Sequence, residues 1–403
     1  MEDTTVKKFY DIMKKSDNKT IKEEFKKFIN EYTYYCDEFL GEGFFGRVTT
    51  PNFGPVVNVF IGNSFVSLPT AVKQLKHPDG KFSIYEQDGK LYMVSEKTLT
   101  SEMIMLYMVS KLWYDERTPH LPFLLGVDSC GDIDSGFISK IVTERHGIMS
   151  WFNGLEKPII LRDRFKTPFW LTRQNHVSNM ATLDDLFLFC LLNRESETKI
   201  TLPNGKTVYI PDLLDYLFIS YVHTAHILYK DLHLILSDQH STNIFIHWLG
   251  KFSRMGKTDM SNVDRIYYQI EKDKYIKCDT YGILLKLGDL GTCVMKPRDD
   301  VYVIGDVYDQ DKHIKDFRKY DSYVASYIDM FMNIVGGTFP QGVISKTRVW
   351  KLCQKAPFNT ITYLGTPVDV MLPTELEVLN ADVFKDMVVD KVSKDANNIV
   401  VSM

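Results

Sequence analysis

The chain has 403 residues, 44% of them hydrophobic and 25% charged, with a net charge of −4. This is an ordinary globular composition with room for two lobes, and its charge balance argues against a mainly electrostatic nucleic-acid binder. The six cysteines include no C-x-x-C pair, which argues against a disulfide framework or a zinc site and fits a reducing compartment. The first residues, Met1-Glu2-Asp3-Thr4, are polar and acidic, so no secretory signal is expected.

Residues 5–32 are rich in Lys and Glu. Ile21, Phe25, Phe28 and Ile29 follow helical spacing, and Thr20 with Glu23 has the form of a capping box. This extension, residues 1–35, reads as a solvated helix packed on the first lobe. Next comes Gly41-Glu42-Gly43-Phe44-Phe45-Gly46-Arg47-Val48, a G-x-G-x-x-G-x-V pattern. Glycines at that spacing let a backbone lie over phosphates where any Cβ would intrude. Because β-type residues follow (Val56 to Ile61), a glycine-rich hairpin is expected rather than the opening of a helix. Ala71-Val72-Lys73 lies in an apolar strand, where a lysine is costly to bury without a phosphate or carboxylate partner. Residues 76–97 read as a loop or small hairpin.

Residues 98–109 read as a helix that carries Glu102 near its start, within reach of Lys73. Strands are expected at 121–127 and 139–143, the second running into Glu144-Arg145-His146 as a connector. Thr182 with Asp185 marks a helix start, and 199–210 is a hairpin with Asn204-Gly205 at its turn. The apolar run Leu213 to Tyr229 is interrupted by Asp215, His223 and His226, so it reads as a buried helix rather than a membrane span. It leads into Asp238-Gln239-His240-Ser241-Thr242-Asn243, followed by the strand Ile244-Phe245-Ile246. A carboxylate that accepts a hydroxyl proton, with an amide that holds a metal five residues on, is what phosphoryl transfer requires. After a hairpin at 265–277, the strand at 283–287 ends in Gly288-Asp289-Leu290-Gly291, which suits either a metal ligand or a plain turn. Residues 296–313 read as acidic and turn-rich, and 320–331 as a helix.

The order of these features resembles the protein-kinase-like family over about residues 38–331. Gly41, Gly43, Gly46 and Val48 match its glycine-rich loop, Ala71 and Lys73 its strand lysine motif, and Glu102 the helix partner of that lysine. Thr143 matches the gatekeeper, and Glu144 and His146 fall in the hinge. Asp238 matches the catalytic base, Asn243 a metal ligand, Phe245 the apolar support of the adenine, and Asp289-Leu290-Gly291 the D-F-G motif. The resemblance implies an α+β, bilobal kinase-like fold. Its small β-rich N-lobe would span 36–143 and its larger, mainly helical C-lobe 144–403, with insertions near 148–211 and 249–284. It also implies ATP and Mg2+ as cofactors and a protein substrate with a Ser/Thr hydroxyl. It implies neither a membrane span nor nucleic acid, and says nothing of oligomeric state.

The departures from the pattern matter too. Leu236-Ser237-Asp238 stands where the family has H-R-D, so pairing of an Arg there with an activation-loop phosphate is not expected. His240 makes the loop D-x-H-x-x-N, as in the aminoglycoside and choline kinase branch, and there is no A-P-E. A small-molecule kinase and a catalytically silent kinase-like scaffold are therefore the alternatives. The inserted hairpin resembles divergent kinases of large DNA viruses, which implies a host cytoplasm or nucleus, or a virion. Tyr229-Lys230-Asp231-Leu232-His233 also resembles H-R-D-L-K. Taking Asp231 as the base would insert seven residues before Asn243, so Asp238 is preferred.

Overall fold

Short alternating runs separated by turn residues form the sheets, and the apolar runs form the helices. The computed structural model describes residues 3–28, 36–42, 46–51, 56–61, 64–75, 81–96, 100–115, 117–121, 124–128, 140–144, 182–236, 239–248, 263–305, 323–355, 375–392 and 398–401. In chain order they form helices α1 (Asp3–Lys15) and α2 (Asn18–Phe28), then strands β1 (Cys36–Glu42), β2 (Gly46–Pro51), β3 (Val56–Ile61), β4 (Ser64–Leu75), β5 (Lys81–Gln87) and β6 (Lys90–Glu96). Helix α3 (Thr100–Tyr114), strands β7 (Leu124–Asp128) and β8 (Lys140–Glu144), helix α4 (Leu183–Asn193), strands β9 (Lys199–Thr201) and β10 (Thr207–Tyr209), and helix α5 (Ile210–Leu232) follow. Then come β11 (Leu234–Ile235), β12 (Ile244–Trp248), β13 (Arg265–Glu271), β14 (Lys274–Asp279), β15 (Ile283–Leu287), β16 (Val294–Arg298) and β17 (Val301–Ile304). The chain closes with helices α6 (Tyr323–Thr338), α7 (Gln341–Ile344), α8 (Arg348–Cys353) and α9 (Glu375–Leu379), a 3-10 turn (Asp382–Met387), and strands β18 (Val388–Val389) and β19 (Asn398–Val401). The class is mixed α+β. Among the described residues no helix is long and apolar enough to cross a membrane.

The chain divides into two compact units. The first comprises Met1–Arg145, Ile227–Asp238 and Gly288–Phe317; the second comprises His146–His226, Gln239–Leu287 and Arg318–Met403. The first unit takes in two later segments because strand pairing draws them there. One of its sheets runs β1-β2-β4-β8-β7, with β3 also on β4. Its other sheet runs β11-β16-β17-β6-β5, so strands from three distant parts of the chain share one ladder. The central pairing of that sheet, β17 on β6, is parallel and matches Val301 with Leu91 and Ile304 with Val94. Tyr92, Val94, Val294, Tyr302 and Ile304 form a buried cluster on it.

Three expectations fail in this unit. The β16–β17 hairpin occupies the first part of the stretch expected to be turn-rich. Asp299 and Asp300 make its turn, and Pro297 lies within β16, where its missing N–H is tolerated off the ladder's donor positions. Helix α2 starts at Asn18 rather than at a Thr20–Glu23 capping box. The cap is Asp17, whose Oδ1 accepts the Thr20 backbone N–H at 2.7 Å. In addition, the extension is two helices rather than one, and 81–96 is a hairpin turning on Asp88-Gly89, both at positive φ.

The second unit is built around the apolar α5. Its sheets are β9-β10, β12-β15 and β18-β14-β13-β19. The Thr182–Asp185 capping box is present, with Thr182 Oγ1 accepting from the Asp185 N–H and Asp185 returning the bond to the Thr182 N–H. Asp215, 1% exposed inside α5, accepts the backbone N–H groups of Arg348 and Val349 at 2.9 and 3.1 Å and pairs with the Arg348 guanidinium at 3.2 Å.

Candidate functional site

The glycine-rich stretch folds as the expected hairpin. Gly41 lies in β1 opposite Val48 in β2, and Glu42 lies opposite Arg47. Gly43 falls outside the described residues, as do His146 and Asp238. Strand β4 carries Ala71 and Lys73 through the middle of the sheet. Lys73 pairs with Val48 on one side and Ile141 on the other, and Ala71 pairs with Thr143. Glu144 ends β8 opposite Thr70. The backbone of one antiparallel sheet therefore aligns Val48, Ala71, Lys73 and Thr143, which stand 95 positions apart at the extremes of sequence only because β4 is the sheet's central strand.

Glu102 is buried in the first turn of α3, 4% exposed. Its Oε2 and the Oδ1 of Asp289 each lie 3.4 Å from the point where a Cβ on Gly291 would stand. The two carboxylates thus converge on one glycine that leaves room for them. Charges no farther apart than those two legs allow repel by about 2–3 kcal/mol at an effective dielectric of about 20, unless a cation or proton lies near. An ammonium or a divalent metal is the natural neighbour of such a pair. Asp289 also has φ +53. Among the described residues four other non-glycine residues have positive φ: Asp88 and Asp273 turn hairpins, Tyr281 lies in the connection between β14 and β15, and His233 follows the end of α5. Left-handed backbone in a non-glycine residue costs energy and tends to cluster at functional sites.

What holds this geometry is visible around Ile304 and Gly305. Ser101, next to Glu102, donates its N–H to Ser95 Oγ at 2.9 Å and its hydroxyl to the Ile304 carbonyl at 2.7 Å. The Gly305 N–H donates to the Cys293 carbonyl at 2.8 Å, and a Cβ on Gly305 would stand 2.3 Å from the Gly291 carbonyl oxygen. One short piece of backbone therefore touches both the start of α3 and the turn that follows Asp289. Sequence reasoning missed Ser101, Ile304 and Gly305. The only signal for Gly305 was a glycine directly after an apolar run.

In the second unit, Asn243 immediately precedes β12 and donates its backbone N–H to the His240 carbonyl at 2.9 Å. The first turn of α4 steadies this loop: Ser241 Oγ donates to Asp184 Oδ1 at 2.9 Å, and the Asp184 N–H to the Ser241 carbonyl at 3.3 Å. Phe245 pairs with Lys286 and bridges Thr182, while Ile244 pairs with Leu287 at the ladder end. Lys286 is 2% exposed within β15, a buried lysine that the sequence reading passed over as part of an apolar strand. Among the described residues no group of three or more His, Cys, Asp or Glu is placed to hold a metal by itself. Mg2+ at a phosphate site takes only one or two carboxylates and completes its shell with water and phosphate oxygens, so the carboxylate of Asp289 is a donor of the right type.

Asp231, the rival for the base, lies at the end of α5. Arg117 Nε and Nη2 donate to its two carboxylate oxygens at 3.0 and 3.2 Å. This is a bidentate pair, with both groups half-buried. Both of its oxygens are thus already engaged by one guanidinium. No protein-family model matches the chain, and no curated protein matches its sequence.

Proposed function

We propose that this chain is an ATP-dependent phosphotransferase with a protein-kinase-like fold, and that it transfers phosphate to a Ser/Thr hydroxyl of a protein. The observation that carries the reading is the convergence of Glu102 and strained Asp289 on Gly291, inside one unit. Two carboxylates 187 positions apart in sequence are thereby brought to one glycine, and a cation is what such a pair attracts. The β1-β2-β4-β8-β7 sheet supports the same reading, because it sets Gly41, Gly46, Val48, Ala71 and Lys73 in one register.

In this proposal Lys73, steadied by Glu102, anchors the α- and β-phosphates. The β1–β2 hairpin covers the phosphates with backbone, and Val48, Ala71 and Phe245 bear on the adenine, whose edge meets the 144–146 connector. Asp238 orients and deprotonates the acceptor hydroxyl. Asp289 and Asn243 are the residues assigned to Mg2+, which when bound neutralises charge on the phosphates. A small-molecule acceptor is the second reading, favoured by His240, whose Nδ1 lies 2.7 Å from Thr242 Oγ1 on an exposed turn. The site of action in the proposal is the cytoplasm or nucleus of a host cell, or a virion.

Mg2+-dependent ATP turnover with casein as a generic acceptor tests this, comparing wild type with Asp289→Ala. Transfer that falls at least 100-fold in the variant supports the reading. ATP turnover with transfer to metabolite pools but not to protein would move the acceptor to a small molecule. Absence of nucleotide binding in the wild type would leave a kinase-shaped scaffold.

A further inference from the structure

We infer that the two N-terminal helices and the β16–β17 hairpin form a built-in brace that fixes Glu102 against Asp289, with Arg298 as the positioning residue that ties the brace together. The proposal rests on the phosphotransferase reading for its consequence, though not for its geometry. Residues 101–110 of helix α3 are all buried, the polar Ser101, Glu102 and Ser110 among them. Other elements must therefore cover that part of the helix all round. Strands β6, β7 and β17 pack on it, and so does α1, whose Val6, Phe9 and Met13 are buried. Phe9 stacks on Tyr107 with ring centroids 4.4 Å apart.

The hairpin closes the other half of the brace. Its far end, Ile304–Gly305, holds Ser101 and the turn after Asp289, as described above. Its turn end is pinned to the N-terminal helices. The Arg298 guanidinium donates to the Ser16 carbonyl and, at 3.0 Å, to Asn18 Oδ1, both at the α1–α2 junction, while Asp300 pairs with it from the hairpin turn. Lys14 adds a bond from α1 to the Asp231 carbonyl at 2.7 Å. The segment after Asp289 cannot swing away without breaking the parallel β17–β6 ladder as well. Strand pairing and a cis-acting helical cover therefore do here what a phosphate on a free loop would otherwise have to do. Activity is expected without prior phosphorylation of this segment.

Hydrogen–deuterium exchange of the full chain tests the brace, comparing wild type, Arg298→Ala and Arg298→Lys. Arg298→Ala is expected to speed exchange about tenfold at residues 101–107 and 289–295, with residues 213–226 unchanged. Arg298→Lys should restore part of the protection, since one ammonium can still reach the Ser16 carbonyl. In casein phosphorylation, Arg298→Ala should lower kcat with little change in KM for casein. Faster exchange confined to residues 3–28, with 101–107 and 289–295 unmoved, would overturn the inference and make the helices an appendage. Should Arg298→Ala fail to fold, Asn18→Ala removes a single bond of the set and must show the same local pattern. Wild-type protein that transfers no phosphate would sink the proposed function and leave the exchange result to decide the brace alone.

Discussion

Glu102 and Asp215 are both acids buried in helices, and the two units treat them in opposite ways. Asp215 is a satisfied staple: it takes two backbone N–H groups and a guanidinium, and so joins α5 to the start of α8. Glu102 faces another carboxylate, that of Asp289, across a glycine. The first arrangement supplies donors to its buried acid, whereas the second sets two acids on either side of one glycine. A buried charge identifies a site only when its neighbours leave it chemistry to do.

The largest effect should come from breaking the satisfied acid. Asp215→Ala leaves two N–H groups and a guanidinium without their acceptor and is expected to cost about 3–5 kcal/mol. Glu102→Gln keeps the shape and relieves like-charge repulsion, so it should change stability by less than about 1 kcal/mol while lowering phosphotransfer at least tenfold. Denaturant unfolding and turnover measured on both variants check this. If Glu102→Gln were the more destabilising change, the distinction between staple and site would fail.

A pair of glycines sharpens the same point at the backbone level. A Cβ on Gly305 would meet three backbone atoms, at 2.3, 2.8 and 2.8 Å, none of which can yield without moving the Asp289–Cys293 turn. Gly305→Ala is expected to cost about 2–3 kcal/mol. The three atoms nearest a Cβ on Gly342 all belong to the Glu197 carboxylate, the end of a flexible side chain that can turn away. Gly342→Ala should cost less than about 1 kcal/mol. Thermal unfolding of the two variants reads the difference.

The pH dependence of stability separates the units again. Burial pushes the Asp215 carboxyl up to about 6, against the lowering effect of its hydrogen bonds and Arg348. Its folded pKa then lies above the unfolded value of 3.8, so the folded state holds the proton more tightly between those values. Stability from this group is therefore fully present below about pH 3.8, declines as pH rises from there to about 6, and levels off above, by up to about 3 kcal/mol. His233 works the other way, because burial and Lys296 and Lys14 depress its pKa and it opposes folding as pH falls below 6.5. The difference between the curves of wild type and Asp215→Asn removes His233 and leaves the Asp215 effect. A flat difference between pH 4 and 7.5 would contradict the shift.

Much of the local structure was legible because its causes are local. Thr182–Asp185 marks a real capping box, the apolar run at 213–229 is a buried helix, and the glycines at 41–46 open a hairpin. The second sheet of the first unit was not legible. Ser101 and Ile304 are 203 positions apart, and no local periodicity announces that β17 will lie parallel to β6. Lys296, Pro297, Arg298 and the two aspartates that follow read as a turn-rich run, since a proline off the ladder and a charged hairpin tip look the same in sequence as a loop. The candidate site was legible only in part for the same reason. Glu102 and Asp289 were named from their motifs, but the elements that hold them together are non-local.

A smaller expected effect bears on which aspartate is the base. Asp231 and Asp238 are both candidates by pattern, but both oxygens of Asp231 already face the Arg117 guanidinium at the end of α5. Asp231→Asn keeps one acceptor oxygen and weakens one half-buried ion pair, which should cost about 1 kcal/mol and leave turnover within twofold of wild type. Asp238→Asn should abolish transfer without changing the unfolding midpoint. If Asp231→Asn were instead the inactive variant, with ATP binding intact, the base would have been misassigned. The loop between Asp231 and Asn243 would then be a genuine insertion within the catalytic segment, and the Arg117 pair would act as a latch that must open before the reaction.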